Sequence, residues 1–474
     1  MSAPAFAFAD LLRPEAYPQR PERVELIETH VSWVFLAGEF VYKVKKPVDL
    51  GFLDFTAQER RRFFCEEELR LNARLAPGVY LGVATIGRDA EGHLAVGAPG
   101  APAEPCVEMR RLPADGMLDH LAERGAIGAR EIEALAALLA SFHAEARHDA
   151  EVAVHGSPER VRFLCDENFA ALQPWAVHVA GEVELVERER LARLRRWTHA
   201  FQDEHEALFR RRVRERRVVE GHGDLHAGNL CFVDGRPIAF DALEFAMRFR
   251  CADAACELAF LTMDLKRRGQ RALAASLAAR YATLARDAEL ELLLPFYESY
   301  RALVRAKIAA LRAGLPVHDH AAAAEAREYL ALAEEALPQR SASAPLPSAL
   351  PLLSTHREEA HAMNVLFHFE NYTLHDADRE KLRSDLEVLG RVVEHFPVKD
   401  LHVHIHRHPH SHEFQLKFDL HLPGQVLFTG ERGPNYHPAF TECAKQMIAK
   451  VKAYKDQLGH KREWSDARHD RHGA

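Results

Sequence analysis

Three side chains near the middle of the chain have the types and the spacing that phosphoryl transfer requires. Asp224 and Asn229 lie five residues apart in a glycine-containing loop, and Asp241 follows Asn229 by twelve residues. One carboxylate can orient an attacking hydroxyl, while a second carboxylate and an amide oxygen can hold Mg2+ on nucleotide phosphates. The sequence therefore predicts a phosphoryl-transfer site, provided that the chain brings these residues together.

A predicted β-hairpin supplies that proximity. The short apolar runs 230–233 and 237–240 are joined through Asp234 and Gly235, a dipeptide that favours a tight turn. Because the turn reverses the chain, Asp241 returns beside Asn229. The alternative is that Gly-Asp and Asp-Gly dipeptides mark ordinary turns, but two motifs at this separation around one hairpin favour a site.

These residues carry a family resemblance. His-Gly-Asp-Leu-His-Ala-Gly-Asn at 222–229, followed by Phe-Asp-Ala-Leu-Glu at 240–244, closely resembles the catalytic signature of the aminoglycoside phosphotransferase-like kinases. These are relatives of the protein kinases that act on small molecules. The resemblance implies a two-lobed α+β fold, ATP and Mg2+ as cofactors, Asp224 as catalytic base, and Asn229 and Asp241 as Mg2+ ligands.

A nucleotide-binding lobe is expected before this site. Alternation along 40–46 places Lys43 and Lys45 on one face of a strand. Kinase-like folds hold such a lysine against the α- and β-phosphates and pair it with a glutamate on the next helix. Similarity to one bacterial branch of these kinases pairs Lys43 with Glu68. Lys45 is the rival, and a strand edge protected by lysines is the alternative for both.

The stretch 106–113, Cys-Val-Glu-Met-Arg-Arg-Leu-Pro, resembles the hinge between kinase lobes. The resemblance implies that backbone groups of Glu108, Met109 and Arg110 contact adenine. A core strand ending at a proline is a compatible interpretation. A Gly-x-Gly-x-x-Gly loop is absent between the first strands, which favours small-molecule kinases over protein kinases.

The rest of the first domain is predicted to be a helical lobe, since 117–147, 158–173, 182–212 and 252–335 have helical apolar spacing. In this family the helical lobe forms the acceptor pocket, but its residues here identify no acceptor. Glu244 and Asp253 are equally open to a structural role and to acceptor binding.

Composition indicates a protein of several domains with ample core. The chain has 474 residues, a hydrophobic fraction of 47% and a formal net charge of −8. Seven scattered cysteines without metal-type spacing suit a reducing cytoplasm. We expect a cytoplasmic protein without a membrane partner, because the start lacks a signal-peptide pattern and no apolar run approaches the ~20 residues of a membrane span.

A segment rich in proline, serine and alanine separates two predicted domains. The second has the predicted order β-α-β-β-β-α, which makes a two-layer α+β domain. The predicted parts are a kinase-like domain at 1–336 (nucleotide-binding lobe 1–110, helical lobe 111–336), a linker at 337–360, the second domain at 361–463 and a polar tail at 464–474.

Three short segments of the second domain resemble the ribosome hibernation-promoting factor family, also called ribosomal subunit interface proteins. They are Phe-Glu-Asn-Tyr-Thr from 369, Leu-His-Leu-Pro-Gly from 420 and His-Pro-Ala-Phe-Thr from 437. The resemblance implies binding to the small ribosomal subunit and its 16S rRNA, with basic side chains against phosphates. The candidate contacts are Lys445, Lys450, Lys452 and Lys455, and the alternative is a lysine-rich helix face that only keeps the domain soluble.

Histidines His402, His404 and His406 project from one face of a predicted strand. Imidazoles two residues apart on a strand can share Zn2+, Ni2+ or Cu2+. The commoner alternative is a solvated stripe, and a further use is a surface whose positive charge rises below a pKa of ~6.5.

The sequence thus predicts an ATP-dependent phosphotransferase acting on a hydroxyl of an unidentified small molecule, joined to a ribosome-associating domain. The alternative is a non-catalytic, nucleotide-sensing regulator that associates with ribosomes. Aminoglycoside phosphorylation would rest on the family name alone.

Overall fold

The structure is a computed structural model that describes residues 8–49, 53–101, 103–176, 188–313, 320–337, 364–370, 381–382, 384–393, 400–407, 413–422 and 425–469. The chain divides into two units, Met1–Arg340 and Ser341–Ala474. The predicted linker from residue 338 onwards and the last five residues of the predicted polar tail lie outside the described residues, and the domain boundaries stay predictions.

The first unit begins with a six-stranded antiparallel sheet in the order β1-β2-β3-β6-β4-β5. Alternation along β3 sends Tyr42 and Val44 into the core of one face, and Lys43 and Lys45 therefore lie on the other face. Helix α1 packs against β4 and β6. The elements are β1 (Val24–Glu28), β2 (Ser32–Ala37), β3 (Phe40–Lys45), α1 (Gln58–Asn72), β4 (Tyr80–Arg88), β5 (Leu94–Val96) and β6 (Glu104–Arg110).

A helical lobe follows, built around one large apolar core. The apolar stretch 117–147 forms two helices rather than one, because Gly125 takes a φ of +63° and Gly128 caps the second helix. The helices are α2 (Leu118–Glu123), α3 (Ala129–Glu145), α4 (Ala150–Ala153), α5 (Pro158–Leu172), α6 (Arg188–Glu204), α7 (Glu206–Arg214), α8 (Met247–Arg250), α9 (Ala254–Arg267), α10 (Arg271–Ala285), α11 (Leu290–Ala313) and α12 (His320–Glu335).

Two short antiparallel pairs frame the site within this lobe. Strand β7 (Val218–Glu220) pairs with β10 (Cys251–Asp253), and β8 (Leu230–Val233) pairs with β9 (Arg236–Ala239). The hairpin predicted at Asp234 and Gly235 is present, with φ values of 50° and 75° that suit a tight two-residue turn. Asp224 and Asn229 lie between β7 and β8, and Asp241 lies between β9 and β10.

The second unit has a four-stranded sheet in the order β11-β12-β13-β14, with the first pair parallel and the other pairs antiparallel. Its helices and one sheet face share a core that includes Val403, Phe418, Phe440 and Met447. The elements are β11 (Asn364–Glu370), α13 (Glu387–Val392), β12 (Asp400–Arg407), β13 (Phe414–Leu422), β14 (Gln425–Gly433) and α14 (Tyr436–His469). The predicted β-α-β-β-β-α fold class is confirmed.

Within the part of the chain that the structure describes, the helices are too short or too polar to cross a lipid bilayer.

Candidate active site

Lys43 lies at the centre of the site and joins the β-sheet to the loop that follows the hairpin. Its Nζ is 2.8 Å from Glu68 Oε1 on α1 and 2.5 Å from Asp241 Oδ1. Burial would lower the pKa of Lys43, but Asp241 and Glu68 outweigh it and hold that pKa well above its ordinary value. The structure thus brings together the predicted Lys43–Glu68 pair and adds a contact with the candidate metal ligand.

Lys45, the rival lysine, belongs to the same network but is fully buried. Its Nζ is 2.8 Å from Glu68 Oε2 and also contacts Glu244 Oε1. The Lys43 side chain keeps 13% exposure, whereas that of Lys45 has 0%. Lys43 is therefore the lysine nearer to solvent, and Lys45 contacts Glu68 and Glu244 from inside the protein.

The carboxyl groups of this network outnumber its amines. Two amines, on Lys43 and Lys45, face three carboxylates, on Glu68, Asp241 and Glu244. Burial raises the pKa of Glu244, and the lysines lower that of Glu68 against the opposing effect of burial. The raised pKa favours the protonated form of Glu244. Asp241 is half-exposed and is the carboxylate of this network that a cation can reach.

Asn229 is fixed against Asp224 in the loop before the hairpin. Its Nδ2 donates to the Asp224 backbone carbonyl at 2.9 Å and lies 3.2 Å from Asp224 Oδ2. A carbonyl oxygen can only accept a hydrogen bond, so this contact sets which end of the amide is nitrogen. Oxygen Oδ1 of Asn229 is therefore the atom that could bind a metal.

Asp224 is ionised at neutral pH. Burial would raise its pKa, but His226, Arg305 and His222 hold the pKa well below its ordinary value. His226 Nε2 lies 3.5 Å from Asp224 Oδ2, and the carboxylate keeps 30% exposure. It can accept a hydrogen bond from a hydroxyl that enters from the exposed side.

Asp241 has a backbone φ of +63°, in the left-handed region that non-glycine residues rarely adopt. Its amide donates to the Tyr80 hydroxyl at 3.0 Å, and the next amide, of Ala242, donates to Asn72 Oδ1 at 2.9 Å. Such a conformation costs about 1–3 kcal/mol and persists where the surroundings determine it. Here α1 and β4 fix the backbone and turn the Asp241 carboxylate towards Lys43.

Helix α9 supports the Asp224 loop with two carboxylates that sequence reasoning missed. Glu257 accepts from the amides of His222 at 2.6 Å and Gly223 at 3.0 Å, and Asp264 accepts from the amide of Ala227 at 3.0 Å. The sequence does contain a signal for this role, because the two acids lie seven residues apart on one face of a largely apolar helix.

Arg301 on α11 was also missed. It donates to the Gly223 carbonyl at 3.1 Å and lies 3.4 Å from Glu257 Oε1, and all three groups are buried. The loop that carries Asp224 is therefore held by an ion pair from two helices. Nothing local in the sequence around Arg301 indicates this contact.

The remaining predicted nucleotide contacts lie at the end of β6. Glu108, Met109 and Arg110 are paired with β3, and the Arg110 amide donates to the Val79 carbonyl at 2.8 Å. That amide is already used within the sheet, and adenine contact at these residues stays a prediction.

Glu244 and Asp253 both make contacts within the protein, as the structural interpretation of these residues predicts. Glu244 binds Lys45, and Asp253 accepts from the Ala255 amide at 2.8 Å at the start of α9 while pairing with buried Arg212 at 2.5 Å.

The candidate rRNA contacts lie on α14. Lys445 and Lys452 are exposed, Lys450 donates to the Phe428 carbonyl at 2.5 Å, and Lys455 is partly buried. Of the histidine stripe, His404 lies 3.2 Å from Asp419, while the side chains of His402 and His406 are outside the described residues. Among the side chains that the structure describes, no group of three His, Cys, Asp or Glu could hold a metal.

Comparison with known proteins gives a family match for the second unit. Residues 365–459 match the family model described as Sigma 54 modulation protein / S30EA ribosomal protein. Uncharacterized proteins of Mycobacterium tuberculosis and Mycobacterium bovis are 35% identical over 326 residues, which is 68% of this chain and 62% of each relative. The chain thus covers less than two thirds of the length of these relatives.

Solved structures resemble each part. A choline/ethanolamine kinase family protein from Mesorhizobium loti is 14% identical, covering 68% of this chain and 92% of its own with a TM-score of 0.41. A GDP-bound aminoglycoside 2'-phosphotransferase-IIIa is 15% identical, covering 67% and 92% with a TM-score of 0.39. The N-terminal domain of Thermus thermophilus Protein Y is 17% identical, covering 20% and 98% with a TM-score of 0.18.

Proposed function

We propose that residues 1–336 form an ATP- and Mg2+-dependent phosphotransferase that acts on a hydroxyl of a small molecule. The observation that carries this proposal is the position of Lys43, which contacts both Glu68 and Asp241. That pair of contacts joins a strand, a helix and the end of a hairpin at one point. Phosphoryl transfer depends mainly on such positioning and on electrostatic stabilisation.

In this mechanism Asp224 accepts a hydrogen bond from the acceptor hydroxyl and directs its oxygen at the γ-phosphorus. The proton passes to Asp224 as the new O–P bond forms and the bond to ADP breaks. Lys43 places its charged amine against the nucleotide phosphates. His222, Glu257 and Arg301 keep the loop in place and take no part in the transfer.

The residues present fit Mg2+. Asn229 offers an oriented amide oxygen, and Asp241 offers a carboxylate whose side chain is 48% exposed. Hard oxygen ligands of this kind suit Mg2+, which commonly takes one or two protein ligands beside the phosphates. When bound, the ion neutralises charge on the transferred group.

For residues 361–463 we propose association with the small ribosomal subunit, and hence a cytoplasmic location. Support comes from the family model that matches 365–459 and from the exposed lysines on α14, of which Lys445 has 69% side-chain exposure. Cationic side chains can neutralise rRNA phosphates.

The substitution Asp224→Asn tests the enzyme. ADP release from ATP, measured over a panel of hydroxyl metabolites, should fall by about 10²–10⁴-fold because the base is lost. Asp234→Asn is the matched control, since it makes the same change at the exposed hairpin turn, where asparagine tolerates the positive φ. An undiminished rate in Asp224→Asn would show that the catalytic assignment is wrong.

A further inference from the structure

A small cavity lies in the helical lobe where α5, α8 and α11 meet. Its volume is about 30 Å³, room for roughly two water molecules. Arg301, which donates to the Gly223 carbonyl beside Asp224, forms part of its wall. The Arg301 side chain thus lies between the cavity and the loop of the proposed base. Other lining residues include Leu164, Arg248, Phe249, Tyr297 and Tyr300, together with Asp253, whose carboxylate pairs with Arg212.

Basic side chains gather beside this cavity. Lys307 on α11 donates to Asn168 Oδ1 on α5 at 2.6 Å, and Asn168 is a neutral partner. The guanidinium of Arg248 lies 3.8 Å from Glu167 Oε1, at the limit of an ion pair. The guanidinium of Arg160 lies over the Phe163 ring at 4.9 Å, one to two turns before Glu167 on α5.

Positive charge exceeds negative charge in this cluster. Lys307, Arg160 and Arg248 are three cations, and Glu167 is the carboxylate paired with them among the described residues, which leaves a formal excess of two. Burial lowers the pKa of Lys307, and burial and Arg248 lower that of Arg160. All three side chains are partly exposed, Arg248 to 32%, so a bound anion can reach their charged groups.

The cluster also contains a buried hydrogen-bond donor, the side-chain amide of Asn168. Asn168 is 1% exposed, and its Nδ2 lacks a hydrogen-bond partner within the described part of the chain. Buried polar atoms are seldom left unpaired in folded proteins. A guanidinium that stacks on an aromatic ring, as in Arg248 over Phe249 at 4.6 Å, still presents N–H groups at its edge. These donors suit an oxyanion.

We propose that the acceptor carries an anionic group, a phosphate or a carboxylate, which Arg160, Arg248 and Lys307 bind. This inference rests on the proposed phosphotransferase function and adds the substrate class. Both guanidinium groups and the ammonium can make charge-assisted hydrogen bonds to such a group. A cationic acceptor would meet like charges instead.

The position of the cluster relative to the base supports this role. Arg248 and Arg301 both line the cavity, and Arg301 also donates to the carbonyl of Gly223, the residue before Asp224. The cavity and the loop that would receive the hydroxyl therefore share the Arg301 side chain. We infer that an acceptor bound by its anionic end at Arg248 directs its hydroxyl towards Asp224.

Binding of inorganic phosphate to the full chain tests the site directly. Calorimetry with saturating AMP-PNP and Mg2+, which fill the nucleotide site, should show saturable phosphate binding. Lys307→Met and Arg248→Gln should each weaken it about tenfold or more, because each removes a charge-assisted hydrogen bond. Arg280→Gln is the control, since Arg280 pairs with Glu133 on α3 and should leave binding unchanged.

Acetate in place of phosphate distinguishes the two anions, and the one that binds more tightly identifies the group. Absence of saturable binding of either anion, or equal binding by both variants and the wild type, would overturn the proposal.

Turnover separates this inference from the function on which it rests. ADP release should be faster with glycerol 3-phosphate or glycerate than with glycerol, and faster with a sugar phosphate than with the free sugar. Preference for the neutral member of each pair overturns the anionic acceptor and leaves the phosphotransferase standing. Failure to release ADP with any acceptor overturns the phosphotransferase itself.

Discussion

His222 Nε2 donates to the Phe240 carbonyl at 2.8 Å, so the residue two positions before Asp224 holds the residue directly before Asp241. The proposed base and a proposed metal ligand, seventeen residues apart in sequence, are thereby linked. Burial lowers the pKa of His222, which keeps the ring neutral at neutral pH. The link is therefore insensitive to changes of pH around 7.

The first prediction concerns this link. His222→Ala should raise the Mg2+ concentration needed for half-maximal ADP release by about 10–100-fold, because groups that orient metal ligands have effects of this size. A Mg2+ titration of the rate measures it. This Mg2+ concentration should rise less in His222→Gln, because glutamine can still donate a hydrogen bond. An unchanged Mg2+ dependence in folded His222→Ala would contradict the role.

The second prediction separates the two lysines of β3. Lys45→Met should reduce the free energy of unfolding by about 3–5 kcal/mol, because it leaves Glu68 and Glu244 buried without a charge between them. Lys43→Met should mainly weaken ATP binding and turnover, since Lys43 lies nearer to solvent. Urea unfolding and nucleotide titration of both variants measure these effects.

Each lysine variant is the control for the other, because the two side chains share Glu68. If Lys43→Met proved the more destabilising and Lys45→Met the weaker binder of ATP, the assignment of Lys43 to the phosphates would be wrong.

The third prediction concerns acid. His143 on α3 is buried against the Tyr281 hydroxyl at 2.7 Å, and burial lowers its pKa to about 4. Between pH 6.5 and 4 the unfolded chain binds a proton here and the folded chain does not. The free energy of unfolding should thus fall by about 2 kcal/mol from pH 7 to pH 5 through this residue.

Urea unfolding of wild type and His143→Gln at both pH values measures that contribution, since other groups titrate equally in the two proteins. The difference between the two proteins should shrink at pH 5, where the wild-type advantage is lost. A difference that stays constant with pH would contradict a buried, neutral His143.

The fourth prediction concerns α14. Replacing Lys445 and Lys452 with glutamine in the full chain should weaken co-sedimentation with small ribosomal subunits and flatten its salt dependence. The slope of log K against log [salt] should fall by about one for each rRNA phosphate that is no longer neutralised. Lys46→Gln removes one charge from the first unit and should have no effect. Equal binding by the double variant would exclude a role of these two lysines in binding rRNA.

Particular elements show how far the sequence could be interpreted. The hairpin at Asp234 was predictable because an Asp-Gly turn between two apolar runs is a local signal. The break between α2 and α3 was not anticipated, although Gly125 and Gly128 mark it. Glu257 and Asp264 were missed because a carboxylate on a helix is most often solvated, and here both point at the amides of a distant loop.

By itself the sequence determined the types of side chain at the site, the hairpin that returns Asp241 to Asn229, and the order of elements in the second unit. These follow from residue spacing and local turn chemistry. Only the tertiary structure decided that Lys43 rather than Lys45 contacts Asp241, and that Arg301 holds the Asp224 loop. Such contacts join residues far apart in the chain, so packing and charge pairing in three dimensions select them and no local pattern records them.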